Sequence, residues 1–225
     1  MKKAELFEKV DSGESGKKIV KCKACAQGCV ISPGKAGLCG VRKNQEGVLY
    51  SLTYGRLIAQ HVDPIEKKPL FDFMSGSIVY SVGTVGCNLA CEWCQNFDIS
   101  QIQEEAQIMG REVKPEEVVQ EALDSGCESI AYTYNEPAIN VEFVRDTARL
   151  AKKKGLKNIL VTNGYFTEES LDYLTKEDLI DAMNVDLKSF RDETYRKYCN
   201  AIQGVGPVLE TIKKAYNDGV HIELT

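Results

Sequence analysis

Three cysteines near the middle of the chain are spaced for iron–sulfur chemistry. Cys87, Cys91 and Cys94 follow an apolar run in the pattern Cys-x-x-x-Cys-x-x-Cys, with Trp93 directly before the last of them. Three thiolates in one loop can hold three corners of an iron–sulfur cubane and leave the fourth iron without a protein ligand. Ferredoxins supply a fourth cysteine, and zinc sites favour paired Cys-x-x-Cys hooks. The spacing therefore predicts a [4Fe-4S] cluster whose open iron can carry chemistry.

A second set of cysteines lies in a glycine-rich segment nearer the N-terminus. It consists of Cys22, Cys25, Cys29 and Cys39. Four thiols in so short a span can enclose one tetrahedral ion, so we expect a small structural metal knuckle, with zinc as the metal. A second iron–sulfur cluster and four unmetallated thiols are the alternatives, because spacing alone does not choose between metals. Cys127 and Cys199 are expected in the core as small apolar side chains.

The composition limits the classes of function. The 225 residues are 43% hydrophobic, enough for one core, and the formal net charge of -5 argues against a nucleic-acid surface. No segment approaches the roughly 18 uninterrupted apolar residues of a membrane span, and the first residues lack the apolar region of a signal peptide. We therefore expect a cytoplasmic protein without nucleic-acid or membrane partners, whose cysteines bind metal rather than form disulfides.

The chain divides into two parts by pattern. Residues 1–76 form an N-terminal part with a loop at 12–16, a hairpin of residues 41–43 and 48–52, and an extended segment at 61–73. In that segment His61 is expected to be a hydrogen-bonded structural group rather than a ligand. From residue 77 to 225, apolar segments alternate with amphipathic helices, which is the pattern of βα units on a parallel sheet.

The elements of the second part can be placed. Strands are expected at residues 78–82, 129–134, 158–162, 182–187 and 220–224. Helices are expected at residues 115–126, at about 138–154, after Thr167, and at about 207–219. The loop that carries Cys87, Cys91 and Cys94, here called the cysteine loop, leaves the first strand. Ligands of such folds lie at the C-terminal ends of the strands. The loop is therefore where an active site would be.

Polar side chains recur at the ends of these predicted strands. They are Glu136, Asn163, Asp186 and Lys188. A cationic amino-acid nucleoside needs a carboxylate for its amine, hydrogen bonds for its ribose hydroxyls and a cation for its carboxylate, and these groups supply all three. Taken singly, Asp186 and Lys188 fit a surface pair and Glu136 fits a helix cap. Their convergence beside the cysteine loop favours a binding site.

Several motifs together resemble the radical S-adenosylmethionine (SAM) superfamily, beginning with the cysteine loop and Trp93. More closely, the chain resembles the AmmeMemoRadiSam-system radical SAM proteins, which are relatives of pyruvate formate-lyase activating enzyme. The motifs that carry this likeness are residues 22–42, 63–71, 86–100, 132–137 and 185–188. The likeness covers nearly the whole chain from Cys22 onward.

The resemblance implies a fold and a chemistry. The fold is α/β, a partial (β/α) barrel of the radical SAM type with five of its six βα strands, preceded by the Cys-rich knuckle and hairpin. A [4Fe-4S] cluster on Cys87, Cys91 and Cys94 would cleave SAM to a 5′-deoxyadenosyl radical, which takes hydrogen from a protein or small-molecule substrate. Activation of a glycyl radical enzyme is one such outcome. Flavodoxin or ferredoxin would donate the electron.

The same resemblance implies the contacts to SAM. The expected cofactor-binding residues are Trp93, Asn135, Glu136, Asn163, Asp186 and Lys188. The Tyr134-Asn135-Glu136 stretch stands where the superfamily meets the SAM amine, and Asp186 and Lys188 match an Asp-x-Lys motif at the SAM ribose and carboxylate.

Two features depart from the family pattern. Asp72 stands where these relatives carry a histidine, and the sixth barrel strand is missing. We therefore expect a barrel truncated at its C-terminus, with a substrate cavity open on one side.

A different class of function competes with this interpretation. The chain would then be a non-catalytic iron–sulfur electron carrier or a metal-stabilised binding protein. The two classes differ at the fourth iron, since an electron carrier should not change its cluster spectrum when SAM is added.

Overall fold

The computed structural model describes residues 1–10 and 18–225, and the loop expected at residues 12–16 lies outside them. The strands of the described residues are β1 (Lys2–Lys3), β2 (Phe7–Val10), β3 (Ile19–Cys22), β4 (Val30–Ile31), β5 (Arg42–Gln45), β6 (Val48–Ser51), β7 (Arg56–Leu57), β8 (Ala59–Pro64), β9 (Ile78–Gly83), β10 (Arg111–Glu112), β11 (Ser129–Tyr132), β12 (Lys157–Thr162), β13 (Ala182–Val185) and β14 (His221–Leu224). The α-helices are α1 (Phe97–Ser100), α2 (Pro115–Asp124), α3 (Val141–Lys153), α4 (Glu168–Thr175), α5 (Asp192–Cys199) and α6 (Gly206–Asn217). Short 3-10 helices lie at Ile65–Lys67, Glu105–Gln107 and Pro137–Asn140. No helix among these residues is long and apolar enough to cross a membrane.

One six-stranded sheet forms the centre of the molecule. Its strand order is β14-β13-β12-β11-β9-β8. The first five of these strands run parallel, and β8 pairs antiparallel with β9 at one edge. Helices follow the parallel strands along the chain, so the predicted α/β architecture with five βα strands is confirmed.

The register of the sheet brings the C-terminal ends of the parallel strands together. Tyr132 lies opposite Val82 on one side and Leu160 on the other. Val185 pairs with Thr162 and, on its other side, with Leu224. Each of these residues stands at or near the end of its strand, so the loops that follow the strands share one edge.

Both faces of the sheet are covered, which explains why its strands are continuous apolar runs. One face carries a cluster of Ile65, Leu70, Val79, Ala131, Ile159 and Ala182. The segment after β8 supplies Ile65 and Leu70 to this cluster. Ile130 and Leu160, the sequence neighbours of Ala131 and Ile159, belong to the larger core that α2 and α3 cover.

Several element bounds differ from the sequence prediction. The second and fourth parallel strands end two residues earlier than predicted, at Tyr132 and Val185. The helix expected from about residue 138 begins at Val141, because a 3-10 turn comes first and the Glu136 carboxylate accepts the Ala138 amide at 2.9 Å. Helix α5 and the short N-terminal strands β1 to β4 were not predicted. The division between residues 76 and 77 stays a prediction, although β8 joins the main sheet.

The predicted hairpin is confirmed as β5 and β6, which pair antiparallel. Glu46 and Gly47 turn the chain with φ of 52° and 86°, and the Asn44 side chain accepts the Gly47 amide at 2.8 Å. Arg42 on β5 forms a two-pronged, fully buried ion pair with Glu142 on α3, with N–O distances of 2.8 and 2.7 Å. This pair joins the hairpin to α3.

Candidate active site

A cavity of about 570 Å³ opens at the C-terminal ends of the parallel strands. The predicted site residues that line it are Cys87, Cys91, Trp93, Cys94, Asn135, Asn163, Asp186 and Lys188. Its volume is typical of small-molecule binding sites. The structure therefore brings together every predicted residue of this site except Glu136.

The cysteine loop returns to the sheet through a short helix. Gly86 has a φ of 93°, and an added Cβ would lie 2.8 Å from the Cys39 carbonyl oxygen, so only glycine fits this position. The Gly86 amide donates to the Ile99 carbonyl at 2.8 Å, which closes the loop onto α1. The Ser100 hydroxyl lies 3.3 Å from the Cys94 sulfur. These contacts hold the loop over the cavity.

Helix α5 supports the loop from its other side. The Ala90 amide donates to the Cys199 carbonyl and the Glu92 amide to the Tyr198 carbonyl, both at 3.0 Å. The Cys199 thiol is buried, as predicted, and lies beside Cys91. Interaction with the Cys199 thiol, followed by burial, raises the pKa of Cys91. The contact was not predicted, because nothing in the sequence placed the end of α5 against the cysteine loop.

Two asparagines fix the loop next to Cys87. The Asn163 side chain donates to the Asn88 side-chain oxygen at 2.7 Å and lies 3.8 Å from the Cys87 sulfur. Its own oxygen accepts the Tyr165 amide at 2.9 Å. Burial, and then the Glu136 charge, raise the pKa of Cys87. Asn163 therefore lies in the predicted cavity, where it also positions the loop.

Glu136 does not line this cavity. Its carboxylate accepts hydrogen bonds from the Thr162 hydroxyl at 2.8 Å and from the Asn163 amide at 2.9 Å, in addition to the Ala138 amide. It lines a separate cavity of about 20 Å³. Burial raises the pKa of Glu136 to about 7, against three hydrogen bonds that favour the charged form. In this structure Glu136 joins the loops after β11 and β12, and its expected contact with the SAM amine stays a prediction.

Asn135, the neighbour of Glu136, lies in the cavity. Its side-chain nitrogen donates to the carbonyls of Thr84 at 2.5 Å and Ile99 at 3.1 Å. Its side-chain oxygen is buried and has no hydrogen-bond partner in the described part of the chain. A buried acceptor without a partner is costly, so this oxygen is suited to a donor brought by a ligand.

Asp186 and Lys188 form an ion pair at the end of β13. The Asp186 side chain is half exposed, whereas that of Lys188 is mostly buried. Burial lowers the pKa of Lys188, but the charge of Asp186 and its hydrogen bond outweigh this effect, and the pKa is raised overall. The Tyr195 hydroxyl accepts the Lys188 amide at 3.1 Å. Lys188 is therefore a fixed cation on the cavity wall.

A second cationic part of the cavity wall was missed by sequence reasoning. Lys67 and Lys68 both line the cavity, and each nitrogen lies 2.8 Å from a carboxylate oxygen of Asp63. Lys68 is buried, and its ammonium lies 4.7 Å from the centre of the Tyr134 ring. The signal lies in the Asp63-Pro-Ile-Glu-Lys-Lys run, whose pattern predicts an extended segment and which also carries part of the family resemblance. A 3-10 turn at Ile65–Lys67 replaces part of the expected extended segment, so the sequence pattern could not place these lysines.

The four N-terminal cysteines are also brought together. They line a separate cavity of about 10 Å³ beside the cysteine loop. As they stand, no three Cys, His, Asp or Glu side chains in residues 1–10 and 18–225 converge closely enough to hold a metal ion.

Comparison with known proteins agrees with this geometry. The family model of the radical SAM superfamily matches residues 81–225. An uncharacterized protein from Methanocaldococcus jannaschii is 41% identical over all of this chain, which spans 64% of that protein. Pyruvate formate-lyase 1-activating enzyme from Escherichia coli K12 is 28% identical over 49% of this chain and 46% of its own length. GTP 3',8-cyclase from Synechocystis is 27% identical over 61% of this chain and 41% of its own length.

Among solved structures, the radical SAM methyltransferase TsrM from Kitasatospora setae aligns with a TM-score of 0.49 and 16% identity over 66% of this chain and 30% of that one. The superfamily uses a [4Fe-4S] cluster and SAM, so the predicted class and its cofactors are confirmed by the family match. The chain belongs to the radical SAM superfamily.

Proposed function

We propose that this chain cleaves SAM reductively at a [4Fe-4S] cluster on Cys87, Cys91 and Cys94 and directs the resulting radical to a substrate in the 570 Å³ cavity. One observation carries the proposal. The three thiols, Asn135, and the ion pair of Asp186 and Lys188 line the same cavity at the ends of the parallel strands. An electron carrier needs no such cavity beside its cluster.

The donor set suits a three-cysteine cluster. All three thiols lie on one loop, and other polar groups approach two of their sulfurs. The Leu89 amide lies 3.5 Å from the Cys87 sulfur, and the Ser100 hydroxyl lies close to the Cys94 sulfur. Hydrogen bonds to cluster sulfurs are among the means by which a protein tunes such a centre. When bound, the cluster supplies the electron that splits SAM into methionine and a 5′-deoxyadenosyl radical.

The polar groups of the cavity wall match the parts of SAM. The unpartnered oxygen of Asn135 is an acceptor for the methionine ammonium. Lys188 is a fixed cation for the methionine carboxylate, and the half-exposed Asp186 carboxylate accepts hydrogen bonds from ribose hydroxyls. Asn163 holds the cysteine loop in position beside these groups through its hydrogen bond to Asn88.

The binding role of Lys188 can be tested by replacing it with alanine. We expect Lys188→Ala to raise the SAM concentration for half-maximal 5′-deoxyadenosine formation about tenfold or more, because a charge-assisted hydrogen bond is lost. The rate is measured anaerobically with dithionite as the electron source. Lys154→Ala, at an exposed helix end, is the matched control and should behave as the unaltered chain. An unchanged SAM dependence in Lys188→Ala, with the cluster absorption intact, would argue against this contact.

For the substrate, we favour a glycine residue of a partner protein. The relative that is named a pyruvate formate-lyase activating enzyme supports this choice. Incubation of the reconstituted chain, SAM and a candidate glycyl radical enzyme should give the doublet of a glycyl radical in the paramagnetic resonance spectrum. GTP serves as the comparison substrate, because GTP cyclases are also relatives. Consumption of GTP without a glycyl signal would reject the protein substrate.

A further inference from the structure

The four cysteines of the N-terminal part surround one small cavity. These are Cys22, Cys25, Cys29 and Cys39, and they come from β3, from the loop that follows it and from the loop before β5. Three of them are buried and Cys29 is partly buried. We propose that these four thiols bind one zinc ion, and that this ion fixes the part of the cysteine loop that carries Cys87.

Two unpartnered donors at the same cavity indicate a negatively charged ligand group. The side-chain nitrogen of Asn88 is buried and has no hydrogen-bond partner among residues 1–10 and 18–225. The Nε atom of Arg42, also in the wall, is buried and equally without a partner in those residues. Four thiolates around a divalent ion carry a net charge of about -2. Such a centre gives both N–H groups sulfur acceptors and places a counter-charge beside Arg42.

The size of the cavity favours a single ion over a second cluster. At about 10 Å³ it holds roughly one water-sized sphere, which suits one ion better than four irons and four sulfides. Zinc binding requires the four side chains to rotate about their Cα–Cβ bonds until the sulfurs surround one ion. All four thiols then lose their protons to solvent as the ion binds. Four thiolates in a tetrahedral set suit zinc or iron–sulfur centres, and of these the size of the cavity favours zinc.

The knuckle contacts the cysteine loop on both sides of Cys87. On the N-terminal side of Cys87, the Cys39 carbonyl oxygen lies against Gly86, where an added Cβ would be only 2.8 Å from that oxygen. On the C-terminal side of Cys87, the Gln27 side chain donates to the Asn88 carbonyl at 2.8 Å and to the Asn200 carbonyl at 2.7 Å. Gln27 lies between Cys25 and Cys29 in the sequence. An ion bound by these cysteines would therefore fix Gln27 and, through it, the loop.

Cobalt titration of the full chain tests the metal site without any SAM chemistry. Tetrahedral cobalt bound by thiolates gives strong visible and near-ultraviolet bands, so the chain freed of metal should develop these bands and saturate at about one cobalt per chain. Zinc should displace the cobalt and remove the bands. Cys25→Ser should weaken cobalt binding at least about tenfold, and Cys127→Ser, at a buried cysteine outside the knuckle, should leave it unchanged.

Hydrogen exchange tests whether the bound zinc stabilises the cysteine loop. Removal of zinc by a chelator should speed amide exchange at Leu89 and Ala90 about tenfold or more in the unaltered chain. Gln27→Ala should produce the same loss of protection while zinc stays bound.

Three results would overturn the inference. The first is an unaltered chain that shows no cobalt–thiolate bands. The second is a metal analysis that finds a second set of about four irons in place of zinc. The third is amide exchange in the cysteine loop that changes neither on zinc removal nor in Gln27→Ala. The first two reject the zinc site, and the third rejects its effect on the loop. Each is measured on the unaltered full chain, or on a variant whose zinc content is checked.

Discussion

Cys91→Ala is expected to remove the cluster and SAM cleavage together. Two thiols cannot retain a cubane that three are needed to hold, so the iron bound at this loop should fall from about four per chain to fewer than about one. Formation of 5′-deoxyadenosine should fall to the background of the assay. Iron analysis and visible absorption after anaerobic reconstitution report the cluster, and chromatography reports the nucleoside.

The control for this prediction must allow for Cys199. Its thiol lies beside Cys91 and could replace a lost ligand. Cys91→Ala should therefore be compared with the double variant that also carries Cys199→Ala. Cys127→Ala, a buried cysteine away from the loop, should retain cluster and cleavage. Retention of the iron and of nucleoside formation in the double variant would show that the loop cysteines are not the ligands.

Glu142→Leu is expected to lower the free energy of unfolding by about 3–5 kcal/mol. The carboxylate and the Arg42 guanidinium are both fully buried, and the variant leaves the arginine without its partner. Burial raises the pKa of Glu142, but the charge of Arg42 outweighs it and holds the pKa below the usual range. The Glu142 carboxylate also accepts the Glu5 amide at 3.1 Å, and that bond is lost as well. Denaturant unfolding at neutral pH measures the change.

Two comparisons show whether the unpaired charge of Arg42 causes the loss of stability in Glu142→Leu. The double variant Arg42→Met with Glu142→Leu should recover most of the lost stability, because a buried ion pair replaced by apolar groups is often neutral. Glu112→Leu breaks an exposed pair with Arg56 and should cost no more than about 1 kcal/mol. If Glu142→Leu costs as little as Glu112→Leu, the buried pair does not join the hairpin to α3 in solution.

The parallel strands could be predicted from the sequence because they are covered on both faces. Their residues form unbroken apolar runs, and turns bound them. The edge strand β8 lies partly exposed and includes His61, Asp63 and Pro64, so its pattern indicated only extended chain. Helix α5 was missed because it buries only Tyr195 and Cys199 and is otherwise polar. Elements with little buried surface leave a weak periodic signal.

The site could be predicted as a set of positions, but the directions of its side chains could not. Strand ends place Asn163, Asp186 and Lys188 at one edge whatever their rotamers. Asn135 and Glu136 are neighbours in sequence, yet one lines the large cavity and the other is buried behind it. Which neighbour faces the ligand depends on the turn at Tyr134, whose φ of 70° no sequence pattern indicated.

The paramagnetic resonance spectrum of the reduced cluster, recorded with and without SAM, tests the central claim most directly. A cluster held by Cys87, Cys91 and Cys94 leaves one iron open to SAM, so its spectrum should shift on addition of SAM, and 5′-deoxyadenosine should form in the same sample. A spectrum that does not change with SAM, in a sample that carries a complete cluster and forms no 5′-deoxyadenosine, would contradict the account and indicate an electron carrier.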